Sequence, residues 1–283
     1  MTSFGVWVDD APKVVATDAF MDRAEEVGYS TLAIMLDSSR SAWDPRYSLQ
    51  QLREAGYLAV TNRDMEIVLT VWPTPHKGIL DEMFADLDLM LDRSMASGLE
   101  VDLEGLWKTS KAREMGWNID DASKYLLEGL SKLRERHDVR LEVTTHTGSL
   151  EATARARVAP HVDRVLWQVY STRHNWRAEA VNWRDRYGPF GRSADCDRLA
   201  ELAKTWGVKC SFGAAVWDQK WPGHRVEEAL EVAFENMIIH EPTEIRDWSS
   251  GRTIGRFRDA GFNPQISEWR RDFIIRTRNG AIS

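Results

Sequence analysis

Three acidic residues alternate with apolar ones in segment 98–107, which reads GLEVDLEGLW. Successive side chains of a β-strand point to opposite faces, so Glu100, Asp102 and Glu104 would share one face of a strand. Burying three carboxylates together is costly unless they do chemistry, and their repulsion raises the proton affinity of one of them. A carboxyl group that keeps its proton near neutral pH can act as a general acid. The segment therefore predicts an acid–base site, and a solvated acidic edge strand is the alternative.

Short segments rich in Val, Ile and Leu alternate along the chain with amphipathic segments. Strands buried on both faces have this composition, and the spacing leaves room for one helix and two loops between them. The pattern predicts an α/β fold, a single (β/α)8 TIM barrel with parallel strands and outer helices, as one domain over residues 1–283. An open doubly wound sheet is the alternative, although no glycine-rich phosphate loop follows the first strand. The predicted strands are Phe4–Val8, Thr31–Leu36, Glu66–Val71, Leu99–Leu103, Arg140–Thr145, Arg164–Tyr170, Lys209–Ala214 and Thr243–Asp247.

Helical spacing of apolar residues predicts helices between these strands. We expect one helix to begin at Thr17 or Asp18 and to end at Gly28. Another, over residues 79–97, is expected to end at Gly98.

The C-terminal ends of the strands are where the active sites of such barrels form. Several predicted ends carry acidic, amide or aromatic side chains, which can hydrogen-bond a sugar or stack on its ring. Only one of the adjacent Asp9 and Asp10 can face the site, because they point opposite ways. Glu244 and Arg246 share a face of the eighth strand and are expected to pair inside the barrel. The predicted substrate-binding residues are Asp9, Asp37, Trp72, Glu100, His146, Gln168, Trp217, Asp218 and Trp248.

The composition argues against several classes of protein. A formal net charge of −7 at pH 7, without a basic block, is unfavourable for nucleic-acid binding. No apolar run reaches the roughly 18 residues that predict membrane insertion. The N-terminal segment lacks the charged and apolar regions of a signal peptide, so we expect synthesis in the cytoplasm.

Two other kinds of barrel hydrolase lack their characteristic residues here. A metal-dependent hydrolase needs histidines clustered at strand ends, and the first strand has none. A G-x-S-x-G motif is absent, and neither Cys196 nor Cys210 lies beside a histidine at a predicted strand end. We therefore predict an enzyme without a metal or another cofactor.

The acidic run of the fourth strand resembles the D-x-x-D-x-D-x-E signature of family 18 chitinases and endo-glucosaminidases. Asp102 and Glu104 match its last two acids, whereas Ser97 and Glu100 stand where the signature has aspartates. The end of the sixth strand, WQVYS, is similar to the M-x-Y-D of that family, and Tyr170 matches its tyrosine.

The same run is similar to the D-x-E of family 25 lysozymes, which cut peptidoglycan and carry a further acid where this chain has Asp9 and Asp10. The strand ends DLEGLW, TTHTG, WQVYS and EIRDWS together resemble phage-encoded barrel proteins of the endolysin type. These resemblances imply a glycoside hydrolase that cleaves an N-acetylhexosamine-containing polysaccharide, with peptidoglycan as the favoured substrate. An endolysin would act on the cell wall after its release.

The resemblance also implies roles for individual residues. Glu104 would protonate the glycosidic oxygen, Asp102 would orient the 2-acetamido group of the substrate, and Tyr170 would hold that group. Glu100 would replace a missing aspartate of the signature or support Asp102 from behind. A non-catalytic carbohydrate-binding barrel is the alternative, although such chitinase-like proteins lose the acid that this chain retains as Glu104.

Overall fold

A computed structural model describes residues 2–8, 15–37, 42–103, 106–146, 157–168, 193–215, 235, 237–248 and 264–281. Within these residues, eight parallel strands form a closed barrel in which each strand pairs with the next. The strands are Ser3–Val8 (β1), Thr31–Met35 (β2), Glu66–Val71 (β3), Gly98–Asp102 (β4), Arg140–His146 (β5), Arg164–Gln168 (β6), Lys209–Ala215 (β7) and Glu244–Trp248 (β8). Each lies within two residues of its predicted bounds at both ends. The predicted TIM barrel is confirmed, and the open sheet is excluded because β1 pairs with β8.

Helices surround the barrel, and several of them begin at a capping side chain. The Thr17 side chain accepts a hydrogen bond from the backbone N–H of Phe20, and Ser48 forms a reciprocal capping box with Gln51. Gly28 ends the first helix in the left-handed region, with a φ of 95°. The helices are Asp18–Val27 (α1), Leu49–Gly56 (α2), Lys77–Ser94 (α3), Thr109–Glu114 (α4), Ile119–His137 (α5), Ser193–Trp206 (α6) and Pro264–Arg278 (α7), with a π-helical segment at Tyr57–Thr61 and a 3-10 segment at Ala159–His161.

Helix α3 ends earlier than its apolar pattern predicts. Met95 adopts the left-handed conformation with a φ of 56°, so the chain leaves the helix after Ser94 and not at Gly98. Gly98 instead begins β4, where an added Cβ would lie 3.2 Å from Val68 and 3.3 Å from a carboxylate oxygen of Glu142. Gly98 therefore lies in a tightly packed position inside the barrel, and not at the end of a helix.

The outward faces of the strands pack against the helices. On β4, Leu99 and Val101 are fully buried in this outer core, and Leu103 continues it just after the strand. The predicted alternation of apolar residues outward and acidic residues inward is therefore confirmed for this strand.

A buried ion pair ties β8 to α7. Asp247 accepts hydrogen bonds from Arg270 Nε at 2.5 Å, from Arg270 Nη2 at 2.9 Å and from the Tyr29 hydroxyl at 2.5 Å. Burial raises the pKa of Asp247, although Arg270 and Tyr29 both favour its carboxylate form. The Arg270 guanidinium also lies 5.0 Å from the ring centroid of Phe4 on β1, so the pair stabilises the junction of the first and last strands.

A network of ions occupies part of the barrel interior. Arg246 contacts Glu100 and donates to Glu142 at 3.2 Å. It also donates to both carboxylate oxygens of Glu244, at 2.8 and 3.1 Å, as the shared strand face predicted. Arg164 pairs with Glu142 at 2.5 Å and with Glu244 at 2.7 Å. These five buried side chains come from four strands and form one interior ion network.

Burial and the arginines act in opposite directions on these carboxylates. Burial by itself would raise the pKa of Glu142. Arg164, Arg246 and Arg140 outweigh burial and lower that pKa to about 2. For Glu100, burial prevails over the attraction to Arg246, and the pKa is raised.

Replacing Arg270 with Met is expected to lower the free energy of unfolding by about 3–5 kcal/mol, because it leaves the buried Asp247 carboxylate without its cation. Arg271→Met is the matched control, since the Arg271 side chain is 49% exposed. We expect that control to change stability by less than about 0.5 kcal/mol. Urea denaturation followed by tryptophan fluorescence measures both variants, and equal losses would contradict a special role for the pair.

The interior ion network also predicts a loss of stability at acid pH that depends on Glu142. A folded-state pKa of about 2, below the ordinary 4.5, means that the contribution of Glu142 is fully present above pH 4.5. It is lost as the pH falls toward 2. Glu100 has the opposite sign, because a raised pKa means that protonation favours the folded state.

Glu142→Gln is therefore expected to flatten the acid limb of a plot of unfolding free energy against pH, and to lower stability at pH 7. Glu66→Gln is the control, because Glu66 is 47% exposed and pairs with Arg140 at the edge of the network. This control should keep the acid limb of the wild-type protein. An unchanged acid limb in Glu142→Gln would show that the network does not carry the dependence.

Candidate active site

The C-terminal ends of four strands bring polar and aromatic side chains together at the mouth of the barrel. Asp37 follows β2 and Trp72 follows β3, while Asp102 and Gln168 are the last residues of β4 and β6. Asp37, Asp102 and Gln168 are buried, with exposed fractions of 1–2%, whereas Trp72 is half-buried. All four were predicted to belong to the site, and hydrogen bonds join them.

The carboxylate of Asp102 accepts a hydrogen bond at each oxygen. Trp72 Nε1 donates to Oδ2, and Gln168 Nε2 donates to Oδ1 at 3.1 Å. Gln168 Nε2 also lies 3.3 Å from Thr144 Oγ1, whose hydroxyl donates to the carbonyl of Leu166 at 3.1 Å. Asp102 is therefore bridged to β3 on one side and, across β5, to β6 on the other.

Trp72 is held at both its backbone and its ring. Its backbone N–H donates to Asp37 Oδ1 at 3.1 Å, while the indole N–H donates to Asp102. The loop that follows is fixed as well, because the buried Trp107 donates its indole N–H to the carbonyl of Pro73 at 2.6 Å. Trp72 is half-buried, so part of this residue is exposed to solvent beside Asp102.

Trp7 connects the mouth of the barrel to the interior ion network. Its indole Nε1 donates to Glu100 Oε1 at 2.7 Å, and its ring centroid lies 5.4 Å from the guanidinium carbon of Arg246. The sequence analysis did not assign this residue to the site, although alternation places Trp7 on the inward face of β1 together with Gly5. The apolar cluster around Trp7 contains Ala33, Met35, Val68 and Leu166, and Trp72 packs against it.

Glu100 was predicted to contact the substrate, and the structure places it in the interior ion network instead. Its Oε1 accepts from Trp7 at 2.7 Å and from the Thr70 hydroxyl at 3.2 Å, and its Oε2 contacts Arg246. Both oxygens are occupied and the side chain is fully buried. The argument that buried carboxylates must serve chemistry does not hold for Glu100, because Trp7, Thr70 and Arg246 engage both of its oxygens. We therefore assign Glu100 to the support of the site.

Other predicted site residues lie outside the described part of the chain. His146 and Trp248 are the last residues of β5 and β8, but the description does not extend to their side chains. The remaining predicted residues outside the description are Asp9, Asp10, Glu104, Tyr170, Trp217 and Asp218.

Neither a metal-binding cluster nor a membrane-spanning helix occurs among the described residues. Among them, no three His, Cys, Asp or Glu residues come together in a way that could hold a metal ion. No helix in this part of the chain is long and apolar enough to cross a membrane.

A groove of about 770 Å³ opens in the outer layer of helices, away from the strand ends. It is lined by α2, by the π-helical segment after it and by the end of α3, including Arg53, Tyr57 and Arg93. Among the residues that the structure describes, no predicted site residue lines this groove.

The barrel is similar to several solved structures at low sequence identity. A putative α-L-fucosidase from Bacteroides thetaiotaomicron matches with a TM-score of 0.67 and 10% identity, over 97% of this chain and 94% of that one. The catalytic domain of a chitinase from Pyrococcus furiosus matches with a TM-score of 0.62 and 14% identity, over 97% and 95% of the two chains. An endo-1,4-β-D-mannanase from Thermotoga petrophila gives 0.61 and 10%, over 96% and 99%.

No protein-family model matches the sequence, and no curated protein matches it either. At identities of 10–14%, the structural likeness shows the barrel fold alone. The same fold hosts many unrelated reactions, so the function has to be argued from the site.

Gly213→Ala is expected to destabilise the protein through Trp7. An added Cβ would lie 2.5 Å from Cη2 and 2.9 Å from Cζ3 of the indole, which Glu100 holds in place. Overpacking of this kind costs about 1–3 kcal/mol. Gly78→Ala is the control, because a Cβ there would lie no closer than 3.5 Å to His76. Thermal unfolding compares the two variants. Equal unfolding midpoints would show that the Trp7 ring can move aside without a loss of stability.

Proposed function

We propose that the protein is a glycoside hydrolase in which Glu104 is the general acid and Asp102 assists it. The observation that carries the proposal is the buried Asp102 carboxylate at the C-terminal end of β4, hydrogen-bonded at both oxygens. Glu104 follows Asp102 by two residues in the sequence. Barrel enzymes place their catalytic groups at this end of the strands, and glycosidic bonds are cleaved with a carboxylic acid as proton donor. The similar fucosidase, chitinase and mannanase structures add support for this class of reaction.

A substrate with a 2-acetamido group suits this pair of acids. Glu104 protonates the glycosidic oxygen as its bond to the anomeric carbon breaks, and the acetamido carbonyl oxygen attacks that carbon to form an oxazolinium ion. A carboxylate has about four acceptor positions, so Asp102 can accept the acetamido N–H as well as the N–H groups of Trp72 and Gln168. Its negative charge then stabilises the positive charge of the ring. Glu104 then takes a proton from the water that attacks the anomeric carbon and opens the oxazolinium ring. Tyr170 holds the acetamido group.

Peptidoglycan is the N-acetylhexosamine polymer that we propose as the substrate, with cleavage of the muramidase or glucosaminidase type. The proposal is supported by the D-x-E run ending at Glu104, which resembles family 25 lysozymes, and by the strand ends that resemble phage endolysins. A half-buried indole such as Trp72 at the mouth is suited to stacking on a sugar ring. Under this proposal the protein is made in the cytoplasm and reaches the cell wall after release.

Release of reducing ends from purified peptidoglycan and from chitin oligomers tests the proposal, with mass spectrometry of the products at several pH values. We expect glycosidic cleavage of at least one of the two, and the sugar at the new reducing end identifies the bond. Glu104→Gln should lower turnover by about 10²–10⁴-fold while folding and glycan binding persist. Asp102→Asn should lower it by about 10²–10³-fold.

Glu114→Gln is the matched control for these variants. Glu114 lies on α4, is 61% exposed and pairs with Lys111, so its replacement should leave turnover unchanged. Unchanged hydrolysis by Glu104→Gln would remove Glu104 from the mechanism. Binding of either glycan without cleavage by the folded wild-type protein would favour the carbohydrate-binding barrel.

A further inference from the structure

The two donors to Asp102 are themselves fixed by the surrounding structure. Trp72 reaches Oδ2 from β3, the strand next to β4, and Gln168 reaches Oδ1 from β6, two strands away. Both are uncharged N–H donors, and Gln168 is 1% exposed. The carboxylate is therefore held from two directions, and rotation about its Cβ–Cγ bond would break both hydrogen bonds.

The amide of Gln168 has only one orientation that suits its neighbours. Nε2 faces Asp102 Oδ1, and exchanging the amide oxygen and nitrogen would place two oxygens against each other. In this orientation Oε1 is buried without a hydrogen-bond partner among the described residues. A buried acceptor left unpaired is unfavourable, and such departures concentrate at functional positions. Gln168 is therefore oriented so that its amide N–H donates to Asp102, although its amide oxygen then has no hydrogen bond among the described residues.

The indole of Trp72 is prevented from swinging away by contacts on its backbone and ring. Asp37 holds the backbone N–H at 3.1 Å, and the ring packs on the apolar cluster around Trp7. Trp7 is fixed in turn by Glu100, which Arg246 contacts. Contacts through Trp7 and Glu100 thus connect the donor to Asp102 with the interior ion network.

We propose that Trp72 and Gln168 are positioning residues, which hold the Asp102 carboxylate in one orientation so that its charge faces the reacting sugar. The catalytic part of this inference rests on the proposed glycosidase function. The contact geometry does not, and it can be tested without a substrate. The inference changes the role of Gln168 from substrate binding to support of Asp102, and it adds a supporting role to Trp72.

The first test is spectroscopic and needs no activity. In protein labelled with ¹⁵N at the indole nitrogens, Trp72→Phe identifies the Trp72 N–H resonance among those of the 13 tryptophans. Asp102→Asn removes the charge and one of the two acceptors, so that resonance should shift toward the position of an indole without an anionic acceptor. A Trp72 resonance that stays in place in Asp102→Asn would overturn the proposed contact.

A second indole–carboxylate pair provides the control. Trp43 Nε1 donates to Asp86 Oδ2 at 2.6 Å, and neither residue belongs to the proposed site. Asp86→Asn should shift the Trp43 resonance and leave that of Trp72 in place. If Trp72→Phe does not fold, the resonance that responds to Asp102→Asn and not to Asp86→Asn still identifies the contact.

The second test is a double-mutant cycle on turnover. Trp72→Phe and Gln168→Leu should each lower kcat by about 10–100-fold with a smaller change in KM, because they disturb the orientation of a group that acts in the transition state. In an Asp102→Asn background, the same two changes should have almost no further effect on kcat. Losses that persist in that background would show that the two residues act independently of Asp102, and would overturn the inference. Trp43→Phe should leave kcat unchanged.

The two tests separate a failure of the inference from a failure of the proposed function. If the wild-type protein cleaves no glycan, the glycosidase proposal fails, and the indole resonance still decides whether Trp72 holds Asp102. If turnover depends on Glu104 but the Trp72 resonance is unchanged in Asp102→Asn, the proposed function is supported and the positioning role of Trp72 is excluded.

Discussion

The guanidinium of Arg246 lies among three carboxylates that solvent does not reach, and these come from three different strands. An unpaired carboxylate in this position would be strongly destabilising, and the interiors of such barrels are usually filled by layers of branched apolar side chains. Here Arg246 and Arg164 fill that space and compensate Glu100, Glu142 and Glu244. Ion pairs are not an efficient source of stability, but each of these contacts specifies one arrangement of strands around the barrel.

The candidate site is connected to this network through Trp7. Glu100, held by Arg246, accepts the indole N–H of Trp7, and Trp7 belongs to the apolar cluster on which Trp72 packs. Trp72 in turn donates to Asp102. A continuous set of contacts therefore runs from the interior ions to the mouth of the barrel. Gly213 leaves the space that the Trp7 ring occupies, because an added Cβ there would lie 2.5 Å from Cη2 of the indole.

The strands and their faces could be predicted from the sequence because burial on both faces leaves a local pattern of composition and alternation. The acidic face of β4 was visible in the same way, since alternation is a local property. The role of Glu100 was not visible, because it is decided by Arg246, which lies 146 residues away in the sequence. The same reason explains Gly98, which reads as the end of a helix and serves close packing against Val68 and Glu142 from neighbouring strands.

Glu100 and Asp102 show that similar side chains take different roles when the residues in contact with them differ. They lie two residues apart on the same face of β4, and both are buried. Glu100 contacts the guanidinium of Arg246, and both of its carboxylate oxygens have partners inside the barrel. The donors described at Asp102, an indole and an amide, orient its carboxylate without cancelling its charge. A carboxylate that donors hold in one orientation can stabilise positive charge that develops on a bound sugar. This difference in partners, more than the number of acidic residues on the strand, is why the chemistry is assigned to Asp102 and the residue that follows it on the same predicted face, Glu104.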